Sequence, residues 1–242
     1  MRRLSPLIAA AATDSDGESP RARFRRHLRS GGVDLTSLGQ WLARAAPQIE
    51  LDKEARLAVE EIANRLGEIL GFDVARDDDA GAGLWTSPTG VTIVVRIVST
   101  AGVPGELQSL SQLRDRRLAG SGDPANKLST LAIVCGSQVD WRRIEDAVRL
   151  RRALETGRLV SADAVLALAG LRERRVLAHV DAVTLLRPQP ARADALIELV
   201  TRYAALRPES ADATTGVESA PPVSPPARTT RRGLPRRPPE EP

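Results

Sequence analysis

Val91-Thr92-Ile93-Val94-Val95-Arg96-Ile97-Val98-Ser99-Thr100 decides the fold of this chain. The run is almost continuously apolar and β-branched, with Pro88-Thr89-Gly90 before it and Gly102, Pro104 and Gly105 after it. That pattern predicts a central strand buried on both faces. Arg96 interrupts it. A guanidinium in such a strand is costly unless it is paired or opens onto a cleft, so Arg96 marks either a sheet end or the floor of a cleft.

The flanking sequence alternates helix and strand patterns. Residues 21–28 and 35–45 read as helices, the second with Leu35, Leu38, Trp41, Leu42 and Ala45 on one face. A longer helix over 51–70 carries Ala55, Val59, Ile62, Leu66, Ile69 and Leu70 at helical spacing and stops at Gly71. Residues 72–75 follow as a strand and 77–83 as a turn. Residues 84–86 and 91–98 then form a hairpin around Pro88-Thr89-Gly90. A helix over 105–117, a flexible link over 120–124 and a second buried strand over 128–135 come next. The remainder reads as a helix over 141–154, a strand over 158–161, a helix over 162–169, and helices near 176–186 and 191–206. There is no internal repeat.

Composition narrows the function classes. A chain of 242 residues with 42% hydrophobic content builds one domain plus extensions, and 2% aromatic content makes the core aliphatic. Only Lys53 and Lys127 among the 35 basic residues are lysines, a bias that fits a GC-rich genome better than a demand for guanidinium. The net charge of +4 does not by itself imply nucleic-acid binding. Cys135, the single cysteine, sits in an apolar run and reads as a core residue, which excludes an intrachain disulfide and favours a reducing, cytoplasmic setting. The apolar segment 7–12 is a poor secretory signal, because Pro6 breaks it early and Asp14 and Asp16 follow. No stretch approaches the ~20 apolar residues of a membrane span, so a soluble protein without membrane contact is expected. The expected organisation is a disordered start over 1–20, a helical extension over 21–50, a core over 51–171, C-terminal helices over 172–206 and a disordered Pro/Arg-rich tail over 207–242.

Several local motifs match a known pattern. Leu70-Gly71-Phe72 closes a helix and enters a strand, Ala82-Gly83-Leu84-Trp85 opens a second strand, and Val94-Val95-Arg96-Ile97-Val98-Ser99-Thr100 fills a third. Residues 158–168 look like a closing strand and helix. With the order of elements, these resemble the PD-(D/E)xK restriction-endonuclease-like family, in particular its small prokaryotic members, over about 51–171. The resemblance implies an α/β restriction-endonuclease-like core, a central mixed sheet flanked by helices, here with N- and C-terminal helical extensions. In that family an Asp and a Glu on adjacent strands hold Mg²⁺, and a Lys two residues beyond the Glu helps to activate water. The matching positions here are Ala82, Arg96 and Val98. Losing all three letters, with a cation in place of a metal ligand, implies a nuclease fold without metal, cofactor or nuclease chemistry.

Two carboxylate groups are candidates to restore a metal site. Asp77-Asp78-Asp79 precedes Ala82, but successive residues point apart and an Asp/Gly-rich turn is usually a solvated connection. Glu60, Glu61 and Glu68 lie on the preceding helix, where a solvated face with a Glu61–Arg65 pair is the plainer expectation. His27 and His179 have no partner recognisable by spacing. Gly81-Ala82-Gly83 leads into a strand and so is not a phosphate loop. Ser99 and Thr100 have no visible base.

Arginine clusters at 21–29, 114–117, 142–152 and 231–237 supply the remaining signal. Where they interleave with Asp and Glu, a solvated face is expected. Arg96, Arg114 and Arg117 in the core and Arg231, Arg232, Arg236 and Arg237 in the tail are the candidate nucleic-acid contacts. The leading expectation is a catalytically inactive nuclease-like protein acting as a nucleic-acid-binding or assembly module. The alternatives are a protein-partner scaffold without nucleic-acid contact and a metal-dependent nuclease with displaced carboxylates. The partners left open are DNA or RNA, a protein docking on the tail, and a second copy forming a homodimer.

Overall fold

A computed structural model describes residues 19–77, 81–121, 124–136, 144, 157–189 and 192–206. The first helices begin where side chains satisfy their free N–H groups. Ser19 accepts from the Ala22 amide at the start of α1 (Pro20–Arg29), Asp34 from Ser37 at α2 (Leu35–Ala45), and Asp52 from Glu54 and Ala55 at α3 (Lys53–Ile69). Gly71 ends α3 at a φ of 97°, a conformation that strongly favours glycine.

Strands β1 (Asp73–Asp77) and β2 (Ala82–Thr86) precede β3 (Thr92–Ser99). After α4 (Val103–Ser121) come β4 (Leu128–Cys135), β5 (Gly157–Ser161), α5 (Ala162–Glu173), α6 (His179–Leu186) and α7 (Ala193–Leu206). The five strands form one mixed sheet in the order β1-β2-β3-β4-β5. The β1–β2 and β2–β3 pairs are antiparallel, whereas β3–β4 and β4–β5 are parallel. The long apolar runs thus become β3 and β4 at the centre, where every residue of β4 is buried. This is an α/β protein with a five-stranded mixed sheet flanked by helices.

Alternation along β3 divides the interior in two. Ile93, Val95 and Ile97 face a large cluster with Trp85, Leu131 and Ile133, closed by α1, α2, α3, α5, α6 and α7. Val94 and Val98 face a smaller one with Ala82, Leu84, Ala132 and, from α4, Val103, Leu107, Leu110 and Leu113. Phe24, Leu28, Leu38 and Leu42 belong to the large cluster, so α1 and α2 share the sheet's own core. Cys135 is also part of it, and burial pushes its thiol up to about 12.

The fit around Trp85 explains two glycines. Trp85 donates to buried Asn64 Oδ1 at 3.1 Å. A Cβ on Gly67 would lie 2.6 Å from the indole, and one on Gly83 would lie 2.4 Å from Asn64 Oδ1. Element ends differ from the sequence reading in places. Asp77 extends β1, and α4 runs on to Ser121, taking up Gly120 and Ser121 of the expected link. The expected helix over 141–154, except for helical Ile144, lies outside the described residues. So do segment 1–18 and the tail over 207–242.

Candidate functional site

Ala82, Arg96 and Val98 come together on one face of the sheet. Gly83 pairs with Val95, so Ala82 falls opposite Arg96, and Val98 lies two residues further on the same side. That side is closed by α4. Ala82 and Val98 are buried in the smaller cluster, and Glu106 of α4 meets Arg96 at 3.1 Å. The arginine that interrupts β3 is therefore paired, with its side chain 23% exposed. Arg56 of α3 donates to Glu106 Oε1 and to the Ile97 carbonyl, both at 3.1 Å. Each Glu106 oxygen thus holds one guanidinium.

The other core arginines are also engaged. Arg114 Nε donates to the Leu128 carbonyl and its Nη1 to Asp115, each at 3.2 Å. Arg117 meets Asp77 Oδ2 at 3.0 Å, which occupies that carboxylate of the acidic triplet. Asp78, Asp79, Arg231, Arg232, Arg236 and Arg237 lie outside the described residues. Among the described residues, no group of three or more His, Cys, Asp or Glu is placed to hold a metal ion. No helix among them is long and apolar enough to cross a membrane.

The carboxylates of α3 overturn the expectation of a solvated face. Glu61 is 1% exposed. It takes hydrogen bonds from Arg21 Nε at 2.7 Å, from Arg25 Nε at 3.1 Å and from Arg76 of β1. Arg65 bonds Glu68 at 3.0 Å instead of pairing with Glu61, and Arg29 bonds Glu68 as well. Arginines of α1 thus clamp α1 onto α3. Glu60 continues the chain of charges, with Arg21 at 3.1 Å and Arg56 at 3.6 Å. Alternating charges run from Arg96 through Glu106, Arg56, Glu60 and Arg21 to Glu61.

Burial tunes these groups in opposite directions. It pushes the Glu60 carboxyl up, outweighing the pull of Arg21 and Arg56. Burial acts the same way on Glu68, but hydrogen bonds from Arg29 and Arg65 prevail and hold it below the ordinary glutamate value. Burial also lowers the Arg76 guanidinium, against the attraction of Glu61.

His179 has a partner that spacing did not reveal. Its Nδ1 donates to the Leu70 carbonyl at 2.8 Å, because a carbonyl can only accept, and this leaves Nε2 to accept from Ser87 Oγ at 2.8 Å. Phe72 packs edge-on against the imidazole. Ser87 is only 3% exposed, and its oxygen also meets Thr89 Oγ1 at 2.9 Å, so the pair braces the β2–β3 turn against α6. A buried serine held in this way is closed to an incoming carbonyl.

The sequence carried a faint signal for the Glu61 cluster. Arg21, Arg25 and Arg29 repeat every four residues, as do positions on one face of a helix, and Glu61 and Glu68 are seven apart on another. No family model, no curated protein and no solved structure matches the chain.

Proposed function

We propose that this protein is a catalytically inactive nuclease-like module with a restriction-endonuclease-like core, working through binding or assembly. The observation that carries the reading is the closure of one sheet face. Where the resemblance calls for Asp, Glu and Lys, the chain has Ala82 and Val98 under α4 and Arg96 bound to Glu106. A divalent cation needs several oxygen ligands, and this face offers an apolar cluster and an ion pair. The strand order, with β3 between β2 and β4, supports the resemblance.

Of the two binding roles, assembly with a protein is the better supported. Leu199, Tyr203 and Leu206 stand exposed at helical spacing on α7, while Arg96 and Arg117 are already paired with carboxylates within the fold. On the nucleic-acid reading, the contact falls to the tail arginines. Fluorescence anisotropy with duplex DNA and with RNA at low and raised salt separates the roles. Assembly predicts no saturable binding by the full chain. Tight binding that weakens steeply with salt would favour the nucleic-acid role instead.

A further inference from the structure

A cavity of about 500 Å³ opens at the end of the sheet where β3 and β4 begin, away from Arg96 and Val98. Its polar wall includes Thr89 from the β2–β3 turn, Arg114 from α4, Ser129 from β4, Thr184 from α6 and Arg187 just after it. Val91, Val180 and Val183 supply an apolar wall. The volume suits a small molecule of nucleotide size.

Two features indicate what it takes. Two guanidinium groups line the cavity, its described lining residues include no carboxylate, and Asp115, which meets Arg114, is an exposed residue outside that lining, so the wall suits an anion. Ser129 is only 6% exposed, and its Oγ has no hydrogen-bond partner among the described residues. A buried hydroxyl left unpaired is costly, and a ligand oxygen at this wall would satisfy it. Arg114 spends its Nε hydrogen and one of Nη1 on protein oxygens, which leaves the hydrogens of Nη2 and the second of Nη1 for a ligand. Donors from several elements suit the multiple oxygens of a phosphate better than the two of a carboxylate. Thr89 adds a second requirement. With Ser87 Oγ donating its hydrogen bond to His179 Nε2, Thr89 can donate to Ser87 Oγ, leaving Thr89 Oγ1 to accept from a ligand hydroxyl or amine.

We propose that this cavity binds a phosphate ester of nucleotide size, with the phosphate at Arg114, Arg187 and Ser129 and the body of the ligand against the valines. It is independent of the filled nuclease positions. Isothermal titration of the full chain with AMP, UMP and ribose phosphate, each against its phosphate-free counterpart, and with benzoate as a carboxylate, tests the proposal. At least one ester should bind saturably and at least about tenfold more tightly than its counterpart and than benzoate. Arg187→Ala, at an exposed position, should weaken that binding by about tenfold or more. Val180→Trp, also at an exposed position, should abolish it by filling the mouth while circular dichroism remains unchanged. Failure of every ester to bind, equal binding of the phosphate-free forms or of benzoate, or unchanged affinity in both variants would overturn the proposal.

Discussion

Glu61 and Glu106 are both glutamates held by arginines from other elements, and they differ chiefly in burial. Glu61 is shut between α1, α3 and β1 with three guanidiniums, whereas Glu106, its side chain 23% exposed, lies partly open to water beside Arg96 and Arg56. The comparison separates two uses of one interaction. A buried carboxylate whose partners are removed leaves an uncompensated charge, and arginines whose carboxylate is removed fare no better. A pair partly open to water is screened and contributes less to stability. Glu61 therefore organises the fold, and Glu106 chiefly neutralises a cation that the sheet would otherwise carry beside its closed face.

The largest expected effect follows directly. Glu61→Gln should lower the unfolding free energy by about 3–5 kcal/mol in urea titrations, because Arg21, Arg25 and Arg76 lose their shared partner. A loss comparable to that of a surface substitution would break the contrast. Gly67→Ala, on the same helix but without charge, should cost about 1–3 kcal/mol by forcing a Cβ against Trp85, and it sharpens the comparison by separating packing from charge. Glu106→Gln should cost less than about 1 kcal/mol by the same titration.

The smallest effect is one of pH. Glu68 is held below its ordinary value of 4.5, so it adds stability above that pH and loses it as the pH falls through the lowered folded value. Thermal melts of Glu68→Gln should thus show a shallower acid loss than the wild type across that range. Identical acid limbs would remove the pair from the account.

What could be read from the sequence follows the range of the interactions. Strands β3 and β4 were legible because burial on both faces demands unbroken apolar runs, and α2 because its apolar residues repeat at helical spacing. Ala82, Arg96 and Val98, the positions the resemblance picks out, could be located in the sequence, and strand alternation places them on one face. Their closure was not, because it depends on the docking of α4 and on the reach of Glu106. Glu61 looked like a surface residue because its partners lie 36 to 40 positions upstream in α1 and 15 downstream in β1. His179 and Ser87 are 92 residues apart, so only the folded chain brings them together.

Incubation of the purified full chain with supercoiled plasmid in Mg²⁺ and in Mn²⁺ tests the central claim most directly. The closed face predicts no metal-dependent nicking or linearisation above the level of an Arg96→Ala control. Metal-dependent cleavage that survives purification and is abolished by replacing Asp77, Asp78 or Asp79 would contradict it.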